Sequence, residues 1–317
     1  MAENILEVNN LSVGFNIEDK FYYVLNNINL SFEKGKIHAI AGESGCGKSV
    51  FINTILRLLP KNARISSGEI LFNNENLLNL KENEIRKIRG RKVSLIPQDP
   101  FMSLNPLFTI ENQLLEVCKV NKTDKKLRLE IIKNALDEVK IKNIDSVLKS
   151  YPHELSGGMK QRVIIAMSLI SNSDLILADE PTTALDVSVS NSILNLLVEL
   201  KNKGKTIILI THDLSIVSNY TDSASIMYLG DVVEKSESKN LFKNPKHPYT
   251  KALLGALPSV RGKKLENIKG QISPITTIIQ GCKFHPRCKN CMEICEIQKP
   301  KTISNCFGSV SCWLYKA

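Results

Sequence analysis

Two kinds of apolar spacing divide the chain. Residues 5–13, ILEVNNLSV, and 28–32, INLSF, show short apolar alternation with Asn and Gly between them, a period-two pattern that predicts strands of an antiparallel flap. From Lys36 the text reads KIHAIAGESGCGKSVFINTILRLLP: an apolar strand, a Gly-rich turn, and an apolar helix that stops at Pro60. Between about 99 and 170 the spacing becomes mostly helical. Leu127, Ile131, Ala135 and Val139 recur every fourth position with Ile132 and Leu136 beside them, predicting one buried face. Three short apolar runs follow, LILADE, TIILITHD and ASIMYLG, and Val189, Ile193, Leu197 and Leu200 mark an amphipathic helix between the first two. Strand and helix alternate as a parallel α/β sheet requires. Beyond about residue 235 Pro, Lys, Gly and Cys rise and apolar periodicity fades, which sets a boundary between residues 1–235 and an appended segment, 236–317.

A chain of 317 residues can bury a core without disulfide staples. The opening MAENILEVNNLSVGF lacks the basic, apolar and small-residue regions of a secretory signal. No apolar run approaches the roughly 18 residues of a membrane span, so the expected location is cytosolic. The formal charge of +10 raises the question of an anionic partner. In KVNKTDKKLRLEIIKNALDEVKIKN, however, Lys alternates with acids, which reads as solvated helix faces; no nucleic acid is expected.

GESGCGKS, Gly42 to Ser49, fits G-x-x-x-x-G-K-[ST] in its proper context, after a strand and before a helix. Such a loop turns backbone N–H groups inward around phosphate oxygens, and the helix N-terminus adds its positive dipole end. Gly42, Ser44, Gly45 and Gly47 shape this cradle, Lys48 would bind the β and γ phosphates, and the Ser49 hydroxyl would ligate Mg²⁺. Cys46 reads as filler at a free position. LILADEP, Leu175 to Pro181, is an apolar strand ending in two carboxylates. A carboxylate at the C-terminal end of such a strand faces the ligand crevice of an open α/β sheet, so Asp179 would hold the Mg²⁺ shell and Glu180 would polarise the attacking water.

Between these motifs lies LSGGMKQR, Leu155 to Arg162, and with it the sequence resembles the ATPase subunit of an ABC transporter over residues 5 to about 235. Gln98 in IPQDP falls at the Q-loop, Asp186 in TALD at the D-loop and His212 in ITHD at the switch histidine, while Phe15, ending the first strand, sits where the family stacks an aromatic on adenine. The resemblance implies an α/β fold: a P-loop NTPase (RecA-like) core with the antiparallel flap, an inserted helical subdomain at about 99–170 and a cysteine-rich C-terminal extension. It also implies a head-to-tail pair of ATPase domains, in which Ser156, Gly157 and Gly158 contact the γ-phosphate of ATP on the partner's loop. His212 would reach the γ-phosphate on its own side, with Gln98 at the Mg²⁺ and reporting nucleotide state. QDPFMSLNPLFTI, YPHELSGGMKQR and NPKHPYTKALLGALP narrow the resemblance to oligopeptide and dipeptide importers, a branch that includes nickel importers. Implied partners are two permease subunits at the cytoplasmic face of the membrane, a second ATPase subunit and an extracytoplasmic binding protein. DNA-repair or translation ATPases share the nucleotide motifs but usually show a long coiled-coil insertion or two ATPase domains in one chain.

GCKFHPRCKNCMEICEIQKP, residues 281–300, holds four of the eight cysteines, and Cys306 and Cys312 follow. Spacing alone selects Cys288, Cys291 and Cys295, as in ferredoxin ligands. The importer resemblance instead implies Cys282, Cys288, Cys295 and Cys312, as ligands of a [4Fe-4S] cluster or of structural Zn²⁺. The segment is poor in periodic apolar positions, so hydrophobic burial is not expected to fix its shape unaided.

Overall fold

The computed structural model describes residues 3–257, 268, 270–305 and 308–315. Two compact units emerge, one of Met1–Glu33, Ile37–Leu78 and Ile210–Ala317, the other of Lys34–Lys36 and Asn79–Leu209.

The first unit opens with β1 (Asn4–Ile17) and β2 (Lys20–Glu33). They form a hairpin closed at Glu18 and Asp19, whose φ of 47° and 60° fit a two-residue turn with the strand twist. The strands outrun their sequence signal at both ends, because cross-strand pairing holds polar positions that alternation alone does not mark. β3 (Ile37–Ala41) is buried at every residue, then come α1 (Lys48–Ile55), β4 (Ala63–Phe72) and the short β5 (Glu75–Asn76). β2, β1, β4 and β5 form one antiparallel sheet in that order, the expected flap.

The second unit contains α2 (Glu82–Ile88), β6 (Val93–Ile96), α3 (Pro100–Ser103), α4 (Ile110–Val120), α5 (Arg128–Glu138), α6 (Ile144–Lys149), α7 (Gly157–Ile170), β7 (Leu175–Asp179) and α8 (Val187–Asn202). It ends in β8 (Thr206–Thr211), whose last two residues fall in the first unit. β6 runs parallel to β7, and β8 flanks β7 on its other side. Helix α7 packs against α3, α4, α5 and α8. The buried face of α5 is narrower than its spacing predicts: Ile132, Ala135, Leu136 and Val139 are buried, but Leu127 is 49% exposed. Leu127 is the N-cap of α5 and precedes the turn that faces the core.

The chain returns to the first unit through α9 (Leu214–Tyr220), β9 (Ser223–Tyr228), β10 (Asp231–Glu237), α10 (Ser238–Lys243), α11 (Pro248–Gly255), α12 (Glu293–Ile297), β11 (Thr302–Asn305) and β12 (Gly308–Ser311). There β3 pairs in parallel with β9, and β10, β12 and β11 extend that sheet antiparallel. β10 therefore spans residue 235, where composition changes. Phe284 is buried with Tyr228 and Tyr249, the three ring centroids lying 4.7 to 5.2 Å apart in tilted or edge contacts. Cys282 and Cys288 pack against this same cluster. The cysteine segment is thus fixed in part by aromatic burial, since one deeply placed Phe needs no periodic pattern around it.

Candidate nucleotide site

In the first unit the phosphate loop links β3 to α1. Gly42 must lack a side chain, since a Cβ would stand 2.2 Å from the Met227 carbonyl oxygen. Gly45 has φ +80° with open space around it, and Gly47, at φ +106°, is the N-cap of α1; both glycines supply left-handed backbone. Lys48 is buried, and its ammonium donates to the carbonyls of Gly42 at 2.8 Å and Glu43 at 3.0 Å. Cys46 is more than filler: its sulfur lies 3.8 Å from the Lys48 nitrogen, and burial pushes its thiol above the usual range. Ser44, Gly45 and Ser49 are exposed.

Phe15 is half-buried within β1, opposite Tyr22 and Ala63, and the strand continues two residues past it, to Ile17. His212 follows the last residue of β8 and is exposed, while the next residue, Asp213, caps α9.

In the second unit β7 is buried through Ala178 and delivers Asp179 and Glu180 half-exposed at its C-terminal end. Glu180 adopts φ +44°, a left-handed backbone rare for a non-glycine residue and enriched at functional sites. Its Oε2 accepts from the Thr183 hydroxyl at 2.9 Å and, at a longer 3.5 Å, from the Gln98 amide 82 positions away. The Glu180 carboxylate and the Gln98 amide are therefore brought together. Ser156 is the exposed N-cap of α7, its hydroxyl accepting from the Met159 N–H at 3.3 Å. Asp186 caps α8 in the same manner. Gly158 has a packing reason for its identity, since a Cβ there would lie 2.5 Å from a Val189 methyl.

The Glu43 carboxylate is gripped by Arg287, with Nη1 at 2.8 Å from Oε2 and Nη2 at 3.1 Å from Oε1. The Glu43 N–H donates to the Tyr249 hydroxyl at 3.0 Å. Sequence reading missed Glu43, Tyr249 and Arg287. Their only signal was position: Glu43 inside the loop motif, Tyr249 in the importer-like Pro-rich stretch and Arg287 beside a cysteine.

Cys282, Cys288, Cys295 and Cys312 interact electrostatically with one another in every pairing, and exposed Cys291 does so with Cys288 and Cys295. Cys306 lies outside the described residues. The expected [4Fe-4S] or Zn²⁺ ligand set is not supported: among the described residues no group of three or more His, Cys, Asp or Glu side chains could hold a metal ion. Burial pushes the Cys282 thiol up to about 11 and raises those of Cys288 and Cys312.

The ABC transporter family profile matches residues 25–183, which makes the class of protein an ABC transporter ATPase. A second profile, for the oligopeptide/dipeptide transporter C-terminal region, matches residues 233–295. The dipeptide transport ATP-binding protein DppD of Bacillus subtilis (strain 168) is 41% identical, over 98% of this chain and 95% of its own length. The oligopeptide transport ATP-binding protein OppD of Escherichia coli (strain K12) is also 41% identical, over 94% of this chain and 90% of its own length. Among solved structures, the dimeric post-hydrolysis state of the ATP-binding cassette MJ0796 bound to ADP and Pi matches with a TM-score of 0.66 at 28% identity, covering 74% of this chain and 98% of the other. The chain belongs to the ABC transporter family, in the branch that carries the oligopeptide/dipeptide transporter C-terminal region.

Proposed function

We propose that this chain binds MgATP on the Gly42–Ser49 loop and hydrolyses it to power peptide import. ATP hydrolysis coupled to transport is the activity of its family, and the chain is the ATP-hydrolysing subunit of a di- or oligopeptide importer. The relatives above are named for peptide transport, which favours peptide over nickel. The observation that carries the reading is the phosphate loop itself, with Lys48 buried and folded onto the carbonyls of Gly42 and Glu43.

In this reading Lys48 and the loop N–H groups bind the phosphates. Ser44, Gly45 and Gly47 shape the cradle, and Phe15 stacks on the base. Ser49, Asp179 and Gln98 offer a hydroxyl, a carboxylate and an amide oxygen, a donor set that suits Mg²⁺, and Mg²⁺ when bound would neutralise phosphate charge. Glu180 accepts the proton of the attacking water, held by Thr183 and Gln98. His212 holds the γ-phosphate. Ser156, Gly157, Gly158 and Asp186 serve the ATP of a second ATPase subunit, at the exposed N-terminus of α7.

Two permease subunits and an extracytoplasmic peptide-binding protein complete the assembly, with this chain at the cytoplasmic face of the membrane. No helix among the described residues is long and apolar enough to cross a membrane. The division at about residue 235, the helical insertion at 99–170 and the cysteine-rich extension remain part of this reading; the separate profiles over 25–183 and 233–295 support the division. A [4Fe-4S] cluster on Cys282, Cys288, Cys295 and Cys312 rests on the importer-like cysteine spacing alone, and the side-chain placement does not add to it. Glu180→Gln tests the hydrolytic assignment. The full chain should still bind MgATP, while its turnover with a partner ATPase falls at least about 100-fold, the scale of a lost general base. Turnover near the unsubstituted rate would remove Glu180 from the role.

A further inference from the structure

Glu43 is an anion within a loop built to hold a polyphosphate. Left alone, its carboxylate would repel the phosphates and compete for the Lys48 ammonium. Lys48 donates to the Glu43 carbonyl itself as well as to that of Gly42, so the conformation of Glu43 is one of the constraints on where the ammonium points. Three groups hold Glu43. Its N–H is fixed by the Tyr249 hydroxyl, its carbonyl by Lys48, and its carboxylate by the two-pronged grip of Arg287. The Arg287 side chain is only 6% exposed and that of Glu43 25%, so the pair is shielded from solvent and geometrically fixed. Arg287 is in turn anchored by its N–H to the Phe284 carbonyl at 3.0 Å and by a contact of its guanidinium to the Tyr228 hydroxyl at 3.3 Å, both aromatics belonging to the core cluster.

We propose that Arg287 is a positioning residue for ATP binding: by neutralising and clamping Glu43 it holds the phosphate loop, and through it Lys48, in the nucleotide-accepting conformation. It touches no phosphate and acts only through Glu43. The C-terminal segment thereby becomes part of the nucleotide site, and anything that shifts the turn at His285–Arg287, which lies between Cys282 and Cys288, shifts ATP affinity. The inference rests on the assignment of the Gly42–Ser49 loop to ATP.

The test is a mutant cycle on the full chain, reading the dissociation constant of a fluorescent ATP analogue with Mg²⁺, below the thermal transition of every variant. Arg287→Ala should weaken binding about tenfold, equivalent to about 1.4 kcal/mol. Arg287→Lys, which keeps the charge but loses the fork, should fall between. Glu43→Gln should lose less, and Arg287→Ala with Glu43→Gln should bind no worse than Arg287→Ala alone, since removing the carboxylate removes the need for its clamp. In the assembled transporter the loss should appear in KM, with kcat changed less than about twofold. Unchanged affinity in Arg287→Ala, or losses that multiply in the double variant, would overturn the proposal. If Arg287→Ala does not fold, the cycle of Arg287→Lys with Glu43→Gln decides by the same criterion. Lys48→Ala separates the two readings: if it binds ATP normally the loop assignment fails, whereas its failure to bind beside a normal Arg287→Ala sinks only the clamp.

Discussion

His247 is buried; its backbone N–H donates to Glu234 at 2.9 Å, its Nδ1 accepts from the Tyr249 N–H at 3.1 Å, and its Nε2 has no hydrogen-bond partner among the described residues. Burial holds this imidazole at about 3, far below its ordinary 6.5. Between those values the unfolded chain carries a proton that the folded chain excludes. The stability it contributes is therefore complete above about pH 6.5 and is lost as pH falls toward 3, by up to ~1.4 kcal/mol per pH unit. His38, also lowered by burial, acts in the same direction. His247→Asn keeps an acceptor for Tyr249 but cannot titrate. Its urea midpoint should fall less steeply than that of the unsubstituted chain from about pH 7 to about pH 5. Parallel slopes would mean that the imidazole is not kept neutral by the fold. At this scale the sequence marked candidate residues, such as Lys48 and Glu180, but not their state: the φ of Glu180 and the thiol of Cys46 against Lys48 arise only from packing.

The helix pair α7 and α8 shows how a motif glycine serves two ends. The Gly158 Cβ position lies 2.5 Å from a Val189 methyl, and Val is stiff at χ1, so the methyl cannot swing aside. Gly158→Ala should cost ~1–3 kcal/mol in overpacking, offset by up to ~1 kcal/mol of helix propensity. Adding Val189→Ala should recover most of the loss, and urea denaturation of the two single variants and the double variant measures the coupling. No recovery would mean that the helices are not seated on each other at this point. The amphipathic spacing of α8 was readable because Ile193, Leu197 and Leu200 all face its core. Leu127 misled because spacing cannot tell a cap from a first turn.

For the molecule as a whole, the cysteines decide whether its C-terminal segment is held by packing alone or by packing and metal. Aromatic burial of Phe284 and pairing of β11 with β12 already give the segment shape. A cluster would then add to stability rather than create the fold, since metal bound only by the folded chain raises its melting temperature. If the proposed cluster is held, anaerobically purified chain carries about four irons and four labile sulfides. Serine at Cys282, Cys288, Cys295 or Cys312 should remove them and lower the Tm, and serine at Cys291 should do neither. One zinc without iron would give the thiols a different ion, while a metal-free chain with an unchanged Tm would leave them as core side chains.

By itself the sequence determined the kind and order of the elements and the identity of the nucleotide motifs, because periodicity and turn chemistry are local properties written in consecutive residues. The phosphate loop, the carboxylate strand end and the signature helix each fall where their flanking runs put them. Only the tertiary structure decided that Arg287 would grip Glu43 across 244 positions, that Gln98 would meet Glu180 across 82, and that Phe284 would join Tyr228 and Tyr249. Such meetings depend on which faces of distant elements pack together, and local spacing carries no term for that.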